Sequence, residues 1–280
     1  MWRIIRGILI FVLGSVFLTC TATVLIVRHQ YKVNEEFMQE VAKAYTSPVE
    51  PAAASQYTAV KTEDGEEREL ELAPILVEFD LLRAVNSDVV GWIFCDDTVI
   101  NYPILYGGRY INTSLTGESN VSGCIFEDPV NNPGFGDSNM ILYGHHMADG
   151  TMFAGIKYWQ NMQYLKEHPY FWILTPTQDY KVEVFSAYVT EDTSSSYTIY
   201  YEPSGPFTDY IKWVRSLSWV DPEFELDPDA HYVMLSTCAY AFDNARSVVH
   251  GKMIPVDSAA GRPIERTVAP EAAASAEPAA

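Results

Sequence analysis

Between Gly7 and Val27 the chain carries no charged residue and consists mostly of Ile, Leu, Val and Phe. A run of that length crosses a bilayer as a single helix, so any folded unit must be built from what comes after it. Arg3 and Arg6 precede the run and the acid-rich remainder follows it. The positive-inside rule then leaves residues 1–6 in the cytoplasm and the bulk of the chain outside, as a single-pass protein of the cell membrane. A cleaved signal peptide is the rival reading, but the run is longer than a usual h-region and no Ala-x-Ala follows it. Cys20 invites a lipid-anchor reading, yet Phe17-Leu18-Thr19 lacks the small residue expected before a lipidated cysteine. The expectation is an uncleaved transmembrane anchor over residues 7–27.

Residues 28–73 read as an extracellular linker with helical character. Val33, Phe37, Val41 and Ala44 recur at helical spacing, which predicts a helix over Val33–Tyr45. Ser47 to Gln56, with two prolines and three alanines, breaks it, and Glu63 to Glu71 is a charge run suited to a solvated helix face or spacer. Pro74 opens a second predicted helix with Leu76, Phe79, Leu82 and Val85 facing inward. From Val89 onward strand patterns dominate, at Val90–Phe94, Thr98–Tyr106, Gly123–Phe126, Met140–Tyr143, Tyr170–Thr175, Tyr180–Val189, Tyr232–Ser236 and Ser247–Pro255. Eight short strands separated by Gly, Pro, Asn and Asp turns predict a mainly β fold, a closed eight-stranded barrel over residues 74–256. Helical insertions are predicted from Met152 to Glu167 and after Pro206, the latter with Phe207, Tyr210, Val214 and Leu217 on one face. Residues 257–280 turn to Ala, Pro and Glu without periodicity and read as a disordered tail.

The net charge of −19 over 280 residues leaves no basic stripe to neutralise phosphates, which excludes nucleic acid as a partner. With Cys20 inside the anchor, Cys95, Cys124 and Cys238 remain, an odd number. Cys95 and Cys124 sit in apolar surroundings and read as small core residues, with a disulfide between them as the alternative. Either way Cys238 is an unpaired thiol.

Cys238 closes Leu235-Ser236-Thr237-Cys238, at the mouth of the apolar run His231–Leu235. A cysteine there is usually inert packing. Here the small hydroxyl residues Ser236 and Thr237, the abrupt end of the apolar run, and Arg246 one turn away favour a reactive group. A thiolate attacks a carbonyl, and a fixed guanidinium stabilises the oxyanion that forms. Ser236 and Thr237 are candidate substrate-binding residues. Gly144-His145-His146 ends another apolar strand and offers the acid/base. Period-two alternation predicts that only one of these histidines points at the thiol. Zinc is the competing use of such a pair, but no Cys or carboxylate at ligand spacing accompanies it, so neither metal nor cofactor is expected. Two rivals are cysteine acyl-transfer enzymes of other kinds, whose motif orders differ, and a non-catalytic membrane-tethered barrel that binds cell-wall material.

Several segments in order carry a resemblance to class B sortases. They are Asn86–Ile93, Ile100-Asn101-Tyr102-Pro103, Ser122–Phe126, Tyr143–Met147 with Met152-Phe153, Lys166–Tyr170, and Leu235–Cys238 with Arg246. The resemblance runs from Asn86 to Val256, and the helix after Pro206 matches one that class B members insert before the cysteine strand. It implies a membrane-anchored cysteine transpeptidase of a Gram-positive bacterium. Such an enzyme cuts a Thr–Gly or Thr–Asn bond in the C-terminal sorting signal of a secreted surface protein. It hands the acyl group to an amine of a peptidoglycan precursor or to a pilin lysine. The resemblance assigns Cys238 as nucleophile, His145 as acid/base and Arg246 as oxyanion holder, and leaves His146 as a neighbour.

Overall fold

The computed structural model describes residues 2–49, 60–61, 67–68 and 72–257. The reading of residues 258–280 as a tail lies outside them, as does most of the Glu63–Glu71 run. Within that run, Glu67–Arg68 pairs antiparallel with Val60–Lys61.

Eight strands close a barrel: β1 (Val89–Phe94), β2 (Asn101–Tyr106), β3 (Ile125–Glu127), β4 (Asn139–Tyr143), β5 (Tyr170–Leu174), β6 (Asp179–Glu191), β7 (His231–Cys238) and β8 (Ala245–Val256). Around the barrel the order is β6-β8-β7-β4-β3-β2-β1-β5, with β5 pairing back onto β6. Two contacts are parallel, β2 with β3 and β4 with β7, and the rest are antiparallel. The eight-stranded barrel expected from the sequence is therefore present.

The continuous apolar runs follow from burial on both faces of the sheet. Along β7, Val233 and Leu235 join the barrel interior, while Tyr232 and Met234 join a second core outside it. The same alternation sends Met140 and Leu142 inward and Ile141 outward on β4. The outer core is roofed by a helix, Gly205–Ser216, which buries Phe207, Tyr210, Ile211 and Val214 at i, i+3, i+4 and i+7. Ser204 caps it by accepting from the Phe207 N–H at 3.2 Å. Those four side chains contribute roughly 1.5–3 kcal/mol each.

Three predicted helices take different forms. The N-terminal helix α1 runs unbroken from Trp2 to Tyr45, so the anchor and the Val33–Tyr45 helix are one element, long and apolar enough to cross a membrane. Its buried face is Asn34, Met38, Val41, Ala42 and Tyr45, with Val33 about half exposed. The stretch after Pro74 first forms a short strand, Ile75–Val77, paired antiparallel with Thr46–Pro48. The helix expected there begins only at Phe79 and ends at Val85, because the strand pairing takes its first backbone groups. The predicted Met152–Glu167 helix is a 3₁₀ segment, Ala154–Gln160, followed by a short α-helix, Met162–Glu167. Asn161 divides them: its backbone is extended, and its side chain caps the second piece by accepting from Gln163 and Tyr164 N–H groups.

One buried acid makes the barrel's stability pH-dependent. Glu127 is fully buried at the end of β3; its Oε2 accepts from the Gly134 N–H at 3.3 Å and its Oε1 has no protein partner. Burial pushes its carboxyl up from 4.5 to about 7, against the opposing Gly134 hydrogen bond. Between those two values the folded chain keeps a proton that the unfolded chain releases. Stability therefore falls as pH rises through that window, by about 3 kcal/mol, and levels off above it. Glu127→Gln is expected to remove this slope. Thermal unfolding of both proteins from pH 4 to 8 checks it, and parallel pH profiles would refute the assignment.

Candidate active site

The parallel pairing of β4 with β7 brings two distant segments to one end of the barrel. Tyr143 is opposite Ser236, and the Gly144 N–H donates to the Ser236 carbonyl at 3.2 Å. His145 and His146 therefore follow β4 where Thr237 and Cys238 finish β7. On the other side of β7, Cys238 is directly opposite Arg246 of β8. Directly opposed residues of an antiparallel pair project to the same face, so Cys238 and Arg246 share one.

Which face follows from the same alternation. Ser236 and Cys238 share parity with Tyr232 and Met234, and Arg246 shares it with Val248, all of which look to the outer side of the barrel. The segment after β6 lies against this face. Tyr197 and Ser236 share a hydroxyl–hydroxyl hydrogen bond of 2.8 Å, and the Tyr197 ring stacks on Tyr143. Burial raises the Tyr197 phenol above its usual range, the Ser236 hydrogen bond and the Arg246 charge opposing it and Asp192 and Cys238 adding to it. Arg246 Nη2 lies 3.3 Å from Asp192 Oδ2, and Nη1 donates to its neighbour's carbonyl at Ala245. Ser236 and Thr237 are themselves buried, and Thr237 Oγ1 has no protein partner.

The two histidines diverge, though not through strand alternation. β4 ends at Tyr143, so the pair lies in the loop beyond it and the period-two argument does not reach them. His145 Nε2 is 2.7 Å from the Ile111 carbonyl. A carbonyl only accepts, so Nε2 is the donor in this bond. His146 is not turned away from the nucleophile's strand. Its Nδ1 donates to the Cys238 carbonyl at 2.8 Å, Lys157 Nζ approaches its Nε2 at 3.5 Å, and its ring meets Tyr240 edge-on. Both of its nitrogens are engaged, which leaves none for the thiol.

Ile111 was invisible to sequence reasoning because it acts through its carbonyl. The available signal was Gly123. Its φ of +56° favours glycine, and a Cβ there would press into the carbonyl oxygens of Tyr110 and Ile111. Glycine at 123 lets the chain pass close behind the oxygen that holds His145.

The other thiols are unavailable. Cys95 and Cys124 are free and buried, and burial pushes each up to about 12. Among the described residues no group of three or more His, Cys, Asp or Glu side chains could hold a metal ion.

Comparison with known proteins agrees with this architecture. The sortase domain family matches residues 93–254. A sortase B of Listeria monocytogenes is 33% identical over 180 residues, which cover 62% of this chain and 72% of that protein. A Staphylococcus aureus sortase B–substrate complex superposes with a TM-score of 0.60 at 29% identity, over 64% of this chain and 85% of that one. A Bacillus anthracis sortase B structure reaches 0.64 at 27% identity, over 81% of this chain and 99% of that one. With the barrel closed in the same way and more than half the chain matched, this protein belongs to the sortase family, as a class B member and by family a transpeptidase.

Proposed function

We propose that this chain is anchored by α1 with its N-terminus in the cytoplasm and residues 74–256 acting as the catalytic unit outside the cell membrane. It cuts the C-terminal sorting signal of secreted surface proteins at a Thr–Gly or Thr–Asn bond. The Cys238 thiol passes its proton to His145 Nδ1, and the resulting thiolate attacks the threonine carbonyl carbon. A C–S bond forms, the C–N bond breaks, and the leaving amine takes a proton from His145 Nδ1. An incoming amine, from a peptidoglycan precursor or a pilin lysine, then attacks the thioester. It gives its proton to His145 and expels the thiolate. Arg246 holds the oxyanion of each tetrahedral state, and Asp192 fixes the guanidinium from the far side. Ser236 and Thr237 form the wall behind the scissile bond, Ser236 by holding Tyr197.

The observation that carries this reading is the placement of Cys238 directly opposite Arg246, with the histidine loop delivered beside them by the parallel strand. That the related Staphylococcus aureus sortase B forms a complex with a substrate supports reading this chain as a substrate-binding enzyme. The test is to incubate the protein with a panel of sorting-signal peptides and an amine and to analyse the products by mass spectrometry. A peptide cut after Thr and joined to the amine, with a thioester trapped on Cys238, is the expected result. An unmodified Cys238 and intact peptides across the panel would leave a non-catalytic cell-wall-binding barrel instead.

A further inference from the structure

Helix α1 does not stop at the membrane. Seven residues past Val27, or about 10 Å along the axis, Asn34 begins the face that packs on the barrel. Asn34 is an anomaly there, a polar side chain only 4% exposed among Met38, Val41, Ala42 and Tyr45. Its Oδ1 accepts from Asn120 Nδ2 at 2.7 Å. Asn120 is tied in turn to the loop that holds His145. Its Oδ1 accepts from the Ser122 N–H at 2.8 Å, and its own N–H donates to the Asn112 carbonyl at 2.9 Å. The preceding carbonyl, of Ile111, receives His145 Nε2.

A cavity adjoins the histidine loop on the other side. Asn34 and Met38 line a cavity of about 280 Å³ together with Tyr102, Thr151 and Met152. The Met152 N–H donates to the Tyr102 hydroxyl, and Met152 bridges to His146. The next residue, Phe153, donates its N–H to the His145 carbonyl at 3.0 Å. The stem of α1 thus bonds to the loop that holds the His145 ring and shares a cavity with the loop that holds its backbone.

We propose that the stem of α1 is part of the active-site scaffold, with Asn34 and Asn120 as positioning residues that set the His145 ring through the Ile111 carbonyl. An amide pair that merely glued the helix down would affect stability alone. A pair in line with the acid/base affects turnover, because a displacement of an ångström at a proton-transfer site is costly in rate.

The test uses the full-length chain in nanodiscs, with the cleavable peptide and amine found above. Asn34→Ala and Asn120→Ala are each expected to lower kcat about tenfold with KM for the peptide held within about twofold. The double variant should be no worse than the poorer single, since all three break one linkage. Asn34→Asp keeps an oxygen acceptor for Asn120 and should return kcat to within about threefold of the parent. Alanine is the best helix former, so Asn34→Ala keeps α1 intact, and Tm is read on the same samples. Wild-type kcat in either alanine variant overturns the proposal, as do losses that multiply in the double variant. So does a kcat that follows Tm and is not restored by Asn34→Asp. The inference rests on the acid/base role proposed for His145. If that role is wrong, His145→Ala stays active whatever the asparagines do. If only the linkage is wrong, His145→Ala is inactive beside asparagine variants at full kcat.

Discussion

Cys238→Ala is expected to abolish turnover, with a loss on the order of 10⁵ or more in kcat and no covalent adduct with any substrate. The size of the effect comes from the absence of a deputy. Cys95 and Cys124 are buried in the core with thiols pushed to about 12, and Cys20 lies in the apolar part of α1, which is long enough to cross a membrane. No serine replaces it either, because the neighbouring Ser236 is buried and committed to Tyr197. Peptide cleavage and intact-mass analysis on the purified variant check this together. Residual cleavage above a hundredth of the parent rate would move the nucleophile elsewhere.

The second large effect separates the two histidines. His145→Ala is expected to cost 10²–10⁴ in kcat, the range of a missing general acid and base. Alternation along a strand would have made His146→Ala nearly silent, but the ring of His146 holds the Cys238 carbonyl. Losing one neutral hydrogen bond costs about 1 kcal/mol, so roughly a fivefold to tenfold fall in kcat is expected for His146→Ala. Peptide cleavage by variants of equal Tm gives the comparison. If His146→Ala were the dead enzyme and His145→Ala the live one, the proton-transfer role would belong to the ring beside Cys238, and the Ile111 contact would be structural only.

The barrel was legible because burial on both faces of its strands writes long apolar runs into the sequence. Their ends were less so. β6 and β8 extend past the predicted limits because Thr190 and Glu191 pair with Arg246 and Ala245, and pairing at a strand's end does not require apolar residues. The Pro74 helix was misplaced because Leu76 fits a helical stripe and a strand equally well, and only its partner Ser47, far back in the chain, decides. At the site, Cys238 and Arg246 could be placed side by side because a short hairpin joins them. Asp192 could not, since the register of β6 against β8 brings it to Arg246 across more than fifty residues. Ile111 contributes a backbone oxygen, which no residue type announces.

The parallel contact between β4 and β7 also dictates when the enzyme can come into being. The histidine loop is synthesised some ninety residues before Cys238, and nothing local holds the two together. Parallel pairing across so long a loop forms slowly, because the entropy of closing the loop is lost before the contacts are gained. On a chain made from the N-terminus, the barrel stays open along the edge of β4 until β7 emerges. The thiol arrives on β7, and β8, which follows with Arg246, fills the remaining gap between β7 and β6. The proposed nucleophile and acid/base therefore share one end of the barrel only once β7 has docked on β4, and a chain interrupted before β7 has neither a closed barrel nor Cys238.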